Sequence, residues 1–341
     1  MQGRCFWNVK LRYAGQTGPI KKMTGATAYR GRVHPEDSIR ARAWVSASRM
    51  QKLYQRGTEA VIEYKMLAPR MQEPIPGVPY YQWISPKGAV FSAFYRTADG
   101  YLLRFPNLAD FEIPFDGPCL TCIPELNIPE ATTLHLYLDQ VLPLILSSKG
   151  KIVLHGSCVV SDGYAFGFLG PSGRGKSTLA ASFAINGCPF LADDGLVIEP
   201  DGSAYLVMPN HPSLRLWEDS EDALLLCDAR KSTPVHYTTK SSFMASLELD
   251  YCGQPKFLKA LYFLAEDNAE EVSIQPLDPA PALVNLLKHS FILDVDDRPS
   301  ISANFDRLAR LANKVACFAL SFPRRYETLP MVTKAIRANS I

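Results

Sequence analysis

Residues 151–198 read KIVLHGSCVVSDGYAFGFLGPSGRGKSTLAASFAINGCPFLADDGLVI, and this stretch decides the fold. The β-branched run KIVLHGSCVVS predicts a strand, Asp162-Gly163 a two-residue hairpin turn, and YAFGFLG the strand that returns from it. That second strand runs straight into a glycine-rich loop. Behind the loop, STLAASFAIN predicts a helix ending near Gly187, and PFLADDGLVIEPDG resumes strand and turn. Strand, glycine-rich loop and helix in this order suit phosphate binding, because loop N–H groups and the positive end of the helix converge on one point.

Gly170, Pro171, Ser172, Gly173, Arg174, Gly175, Lys176 and Ser177 satisfy G-x-x-x-x-G-K-[ST] at every position. The glycines let the backbone fold tightly enough for its N–H groups to surround phosphate oxygens. Lys176 supplies a point charge for the β and γ phosphates, and the Ser177 hydroxyl can ligate Mg²⁺. The candidate nucleotide contacts are therefore Gly170, Ser172, Gly173, Arg174, Gly175, Lys176, Ser177 and Thr178, with ATP and Mg²⁺ as cofactors.

Asp193 and Asp194 follow the loop helix by one short strand, where a strand adjacent to the loop strand would end. Alone, FLADDG is an acidic turn. Beside a phosphate loop, two adjacent carboxylates can divide labour, one accepting a proton from an incoming hydroxyl and the other holding the metal. His155 sits in the strand that pairs, through the Asp162 turn, with the strand entering the loop. A simple hairpin brings it near the loop end; the alternative is a packed core histidine.

Outward from this stretch, residues 61–129 carry short aromatic or alternating runs (VIEYKML, YYQWI, AVFSAFY, YLLRF, FEIPF) broken by Gly-containing turns, an antiparallel strand pattern. EATTLHLYLDQVLPLILSS, residues 130–148, predicts a helix kinked at Pro143, on which His135 reads as a packed or surface residue. Downstream, SAYLVMP, LKALYFLAE, EVSIQPL and KVACFALSFP predict strands, while SEDALLLCD, PAPALVNLLKHSF, NFDRLARLANKV and LPMVTKAIRA predict helices. The expected fold class is mixed α/β. The expected domains are a basic extension over 1–60, containing a helix over about 35–54, a β-rich domain over 61–149 and a P-loop domain over 150–341.

Composition narrows the class further. The chain has 341 residues, 47% apolar and 21% charged, which excludes a disordered, collagen-like or disulfide-scaffold protein. Thirty-six basic against 34 acidic side chains leave a net charge of +2, too little to imply a nucleic-acid partner, although residues 1–70 hold an excess of about ten basic groups. Eight scattered cysteines read as thiols of a reducing compartment, and the lone pair Cys119 and Cys122 as part of a loop. The longest apolar run, near Val141 to Leu146, falls far short of the roughly 20 residues of a membrane span, and the first residues lack a signal-peptide core. The expectation is a cytoplasmic protein with no membrane partner.

LHGS, GFLGPSGRGKS and LADDG together resemble the C-terminal catalytic domain of the bacterial HPr serine kinase/phosphorylase family. That resemblance implies a phosphoenolpyruvate-carboxykinase-like P-loop kinase core. It also implies ATP held by Lys176 and the loop backbone, Mg²⁺ bound by Ser177 with Asp194 near it, and Asp193 as general base on a substrate serine, supported by His155. The flanking runs GYLLRFPNLADFEI, HLYLDQVLPLILSS, HPSLRLWEDS and FALSFPRRYETLP are similar to HPr-kinase-like proteins of lasso-peptide biosynthesis, which phosphorylate a serine hydroxyl of a precursor peptide. The likeness spans residues 95–336. It implies a precursor-peptide partner and a homo-oligomer.

The chain departs from the family in lacking I-R-G-L-G downstream of the aspartates, and TPVHYTTKS only loosely matches P-V-x-P-G-R-N. That alignment puts Lys240 where the family uses an arginine to stabilise the transferring phosphoryl group; Arg215 and Arg298 are the alternatives. The expected activity is an ATP- and Mg²⁺-dependent serine kinase acting on a ribosomal peptide. The alternatives are a nucleotide-gated peptide-binding or sensor protein and a true HPr kinase/phosphorylase.

Overall fold

The computed structural model describes residues 62–85, 88–116, 119–224, 231, 235, 237–238, 240–246, 249–265 and 269–339, and the backbone of 9–13. The helix expected over 35–54, and the basic extension apart from 9–13, lie outside the described residues. The chain divides into two units, Met1–Thr133 and Leu134–Ile341.

The first unit is a sheet of β1 (Val9–Tyr13), β2 (Ile62–Met66), β3 (Tyr81–Ile84), β4 (Val90–Arg96), β5 (Gly100–Phe105), β6 (Ala109–Pro114) and β7 (Cys119–Pro124), in the order β1-β2-β7-β6-β5-β4-β3. β3 to β7 form the expected antiparallel meander, each strand pairing with its neighbour in sequence. β2 instead runs parallel to β7, and β1 parallel to β2, pairings that no local turn encodes. Phe94, Leu103, Phe105 and Phe111 are wholly buried on this sheet. Cys119 and Cys122 lie in β7 and not in a loop. Side chains alternate along a strand, so residues three apart leave it on opposite faces and do not form a bidentate pair.

The helix over 130–148 is three segments: α1 (Glu130–Leu136), a π-helical turn (Tyr137–Val141) and α2 (Leu142–Ser148). Pro143 has no N–H to give the Asp139 carbonyl, and the ladder compensates locally with a wider bond from Leu142 N–H to Tyr137 O. Tyr137, Val141 and Leu144 are wholly buried, and the Ser147 hydroxyl donates to Phe291 O at 2.5 Å. These contacts put most of the helix in the second unit, so the division falls at Thr133/Leu134 and not at residue 149.

The second unit continues with β8 (Ile152–Leu154), β9 (Gly156–Ser161), β10 (Tyr164–Leu169), α3 (Lys176–Ile185), β11 (Phe190–Ala192), β12 (Leu196–Asp201), β13 (Ala204–Met208), β14 (Ser213–Leu216), α4 (Glu218–Ala223) and β15 (Ser241–Met244). It closes with β16 (Lys256–Leu264), β17 (Ser273–Pro276), α5 (Pro279–Lys288), α6 (Arg298–Lys314), β18 (Ala316–Ser321) and α7 (Leu329–Ala338). Nine strands form one mixed sheet, β11-β9-β10-β16-β13-β12-β8, with β18 pairing β16 and β17; β14 and β15 make a separate ribbon. The sheet has apolar layers on both faces. Phe166 and Phe168 pack with Leu179 and Phe183 of α3, whereas Ala165 and Leu169 share the opposite layer with Leu286 of α5 and Leu308 of α6. Burial on both faces explains why these strands read as nearly continuous apolar runs. The class is mixed α/β, as expected, and among the described residues no helix is long and apolar enough to cross a membrane.

Candidate functional site

The hairpin forms as read. Asp162 and Gly163 both take positive φ, 50° and 83°, as a type I′ turn requires, and Ser161↔Tyr164 through Gly156↔Leu169 are in register. The run KIVLHGSCVVS is not one strand, however, because it breaks at His155: β8 pairs with β12, and β9 with β10 and β11. Gly156 opposite Leu169 puts His155 beside the point where Gly170 opens the loop.

Leu169 ends β10, and α3 begins at Lys176, with Gly175 at its N-cap at φ 83° and Gly173 at φ 79°. Both are left-handed, where a side chain would strain the loop. Lys176 and Ser177 are buried in the first turn of the helix. The Lys176 ammonium donates to Gly170 O at 2.8 Å and Pro171 O at 3.0 Å. Burial pulls its pKa down to about 8, against the opposing pull of Asp194 and Asp193. Thr178 donates to or accepts from Ser220 at 3.1 Å, and Ser220 in turn meets the Tyr326 hydroxyl at 3.1 Å.

The strand that delivers the aspartates is not next to the loop strand, as the sequence suggested. β11 pairs with β9, which lies between β11 and β10. Since β9 is antiparallel to both, β11 still runs in the direction of β10 and ends at the same edge of the sheet. Ser157, on the strand between, bridges the gap: its hydroxyl donates to Asp193 Oδ1 at 2.6 Å, and Ser177 donates to the same oxygen at 3.0 Å. Asp193 Oδ2 accepts from the Arg215 backbone N–H at 3.0 Å. Burial and the neighbouring Asp194 push the Asp193 pKa up to about 6 despite these donors.

Asp194 has a different environment. Its φ of 60° turns the chain away from the strand, a conformation that aspartate tolerates better than most residues. Its carboxylate lies 3.4 Å from the Arg215 guanidinium, and its carbonyl oxygen 3.0 Å from His155 Nδ1. Burial opposes ionisation of Asp194, but the positive charges around it, Arg215 and Lys240 among them, hold its pKa below the ordinary value. A carbonyl only accepts, so Nδ1 of His155 carries the proton and Nε2 the lone pair. Burial, followed by the charge of Lys176, keeps the imidazole neutral by lowering its pKa.

Lys240 immediately precedes β15, and its charge acts on Lys176, Asp193, Asp194 and His155. Arg215, one of the two alternatives to it, lies in β14 with its guanidinium toward Asp194; Arg298, the other, is an exposed residue opening α6. The structure thus brings together the loop from Gly170 to Thr178 with His155, Asp193, Asp194 and Lys240. The resemblance implied that His155 supports Asp193; the hydrogen bond of its Nδ1 is to the backbone carbonyl of Asp194.

Sequence reasoning missed Ser157 and Arg324. A polar residue inside the apolar run KIVLHGSCVVS was the available signal for Ser157. Arg324 donates to Arg174 O at 2.5 Å and Ala265 O at 2.6 Å, tying the loop to the end of β16, and nothing in FPRRYE marks it.

No protein-family model matches the chain, and no curated protein does. The chain is similar to the solved Hpr(Ser) kinase/phosphatase from Coxiella burnetii, at 10% identity and a TM-score of 0.30 over 55% of this chain and 97% of that one. A likeness at this level says nothing of activity. What the chain can do is argued from its own residues.

Mg²⁺ asks for hard oxygen ligands and keeps several waters, so a carboxylate and a hydroxyl are enough protein to hold it beside a polyphosphate. Asp193 and Ser177, 3.0 Å apart, fit that demand. Among the described residues no set of three or more His, Cys, Asp or Glu side chains could hold a metal ion on its own.

Proposed function

We propose that the chain is a P-loop phosphotransferase that moves the γ-phosphoryl group of ATP to a serine hydroxyl of a peptide, in the cytoplasm. The observation that carries this reading is the shared acceptor Asp193 Oδ1, which ties the loop hydroxyl of Ser177 to the aspartate pair while Asp194 and His155 stand beside it. A pure nucleotide binder has no need of a second carboxylate and a neutral histidine there.

The geometry supports exchanging the two aspartates' roles relative to the family resemblance. Asp193 with Ser177 would hold Mg²⁺, and Asp194 with His155 would stand at the acceptor. Mg²⁺ bound there would offset charge on the phosphate oxygens. Lys176 and the loop N–H groups orient the β and γ phosphates, so that the acceptor oxygen meets phosphorus in line. The acceptor's proton passes to the Asp194 carboxylate or to His155 Nε2. Arg215 and Lys240 keep positive charge where the transferring group becomes more negative.

The acceptor we propose is a ribosomal precursor peptide of the lasso type, which rests on the flanking runs of residues 95–336. The test is to incubate the protein with ATP, Mg²⁺ and the precursor peptide encoded beside its gene and to read the peptide's mass. One or more added phosphates, absent with K176A, is the expected result. Nucleotide-dependent peptide binding with no change of mass would overturn transfer in favour of a nucleotide-gated binder, and phosphorylation of HPr with the peptide untouched would overturn the acceptor. D193N raising the Mg²⁺ requirement, with D194N lowering kcat at unchanged Mg²⁺ requirement, would support the exchanged roles; the reverse pattern would restore Asp193 as base.

A further inference from the structure

Outside the loop and the aspartates, the second unit holds a chain of three polar side chains that the proposed reaction does not use. The Tyr237 hydroxyl is hydrogen-bonded to His135 Nδ1, and His135 Nε2 lies 2.8 Å from the Asp139 carboxylate. The two rings meet edge to face with centroids 5.5 Å apart. His135 and Asp139 are largely buried, with side-chain exposures of 12% and 13%. His135 closes α1 and Asp139 lies in the π-helical turn, so the interruption before Pro143 carries one member of the chain. The imidazole thus stands between the phenol and the carboxylate, in contact with both. Burial raises the Tyr237 pKa, which keeps the phenol protonated and able to donate.

Tyr237 lies three residues before Lys240. The Lys240 N–H donates to the Thr238 hydroxyl at 3.2 Å, and Ser241 then enters β15 opposite Leu216, the neighbour of Arg215. The Lys240 ammonium sits 5.5 Å from the centroid of the Trp217 ring. Lys240 is thus held from its C-terminal side by the ribbon and from its N-terminal side by Thr238 and Tyr237. Without the second hold, a flexible ammonium on a four-carbon stem would spread over many positions, and a charge contributes to transfer only when it is already in place.

We propose that Asp139, His135 and Tyr237 are positioning residues, whose carboxylate–imidazole–phenol chain fixes the backbone that carries Lys240 so that its ammonium stays over Trp217, from where its charge reaches the aspartate pair. The role in transfer rests on the kinase reading above; the anchoring does not. The experiment uses the full chain as wild type, Y237F, H135A and K240A. Y237F is the informative variant, because it removes one oxygen and leaves the ring and its packing.

Hydrogen exchange is followed in peptides that include Tyr237 and Lys240. Y237F and H135A should speed exchange there roughly two- to tenfold, the equilibrium equivalent of one lost hydrogen bond, with K240A near wild type. Unchanged exchange in Y237F would overturn the anchoring, whatever the enzyme does. In peptide phosphorylation, Y237F should lower kcat and leave the KM for ATP alone, and Y237F combined with K240A should be no worse than K240A. Independent, multiplying losses would overturn the route through Lys240. A wild-type protein that transfers nothing would defeat the kinase reading, while exchange would still decide the anchoring.

Discussion

Lys176 is the group whose protonation should be visible in binding. Burial holds its pKa near 8 in the free protein, although two carboxylates lie close by. Triphosphate oxygens at the ammonium return that pKa to its ordinary range or above, so the nucleotide binds the protonated form. The apparent dissociation constant then grows by the factor 1 + 10^(pH − pKa), which is about 1.1 at pH 7 and about 11 at pH 9. The nucleotide's own last phosphate proton, with a pKa of about 6, is about nine-tenths gone at pH 7 and absent by pH 8.5, so it adds nothing to the alkaline arm. Affinity should therefore be flat up to about pH 7.5 and fall nearly tenfold per unit above about pH 8.5.

Titration calorimetry of ATP with Mg²⁺ from pH 7 to pH 9 tests this twice. The constant itself follows the factor, and comparing buffers of different ionisation heat counts protons taken up on binding. At pH 8.5 the free lysine is about three-quarters deprotonated, so binding should take up about 0.75 proton; at pH 7 it should take up about 0.1. K176R carries a charge that does not titrate in this range and should flatten the profile, even at lower affinity. A wild-type constant unchanged between pH 7.5 and pH 9, or no proton uptake at pH 8.5, would refute a buried and depressed Lys176.

The Asp193 carboxyl, raised to about 6 from an ordinary 3.8, contributes stability that is complete below pH 3.8 and is lost as pH rises through 6. At pH 7 its buried charge costs on the order of 3 kcal/mol, so ligand-free D193N should resist urea better than wild type there and lose the advantage below about pH 4; an advantage independent of pH would contradict that cause. S157A removes a donor that favours the charged form, so the Asp193 pKa should rise further, read from its side-chain carbon shift, and stability should fall by about 1 kcal/mol. In G167A the new methyl would lie 2.6 Å from Leu261 Cδ2 and 3.1 Å from Leu196 Cδ2, ends of side chains that can shift, at a cost of about 1 to 3 kcal/mol in thermal denaturation. G156A meets the Phe168 carbonyl oxygen at 2.6 Å, which cannot move without the hairpin, so it should cost more and weaken ATP binding as well; equal losses for the two would count against a rigid β9–β10 pair.

What was legible in the sequence is what neighbours in the chain determine. The Asp162-Gly163 turn, the strand into Gly170 and the helix from Lys176 are local patterns, and they form where they were read. The partners of a strand are not local. His155 ends one strand and precedes another because β8 pairs with β12 and β9 with β11, and both pairings are long-range. The Cys119 and Cys122 pair, expected in a loop, lies in β7 because the strands on either side pair with it. Ser157 and Asp193 are 36 positions apart, and His135 and Tyr237 are 102 apart, so no spacing rule could join either pair. The π-helical turn was readable only as a proline in a helix. Its wider hydrogen bond depends on which carbonyl Pro143 leaves unserved.

The aspartate pair shows most directly how the fold distinguishes two identical residues. Asp193 leaves β11 in line with the strand, so its side chain reaches Ser157 on the neighbouring strand and Ser177 beyond it. Asp194, one residue on, takes positive φ and presents its carbonyl to His155 and its carboxylate to Arg215. The same charge is raised in pKa at one position and lowered at the next, because hydroxyl and backbone donors do not outweigh burial for Asp193 whereas full cationic charges do for Asp194. With Lys176, Lys240 and Arg215 against two carboxylates and a neutral His155, the site holds more positive than negative charge before any phosphate arrives. A polyphosphate relieves that imbalance, and it would meet Lys176, whose pKa burial holds down although both carboxylates pull it up.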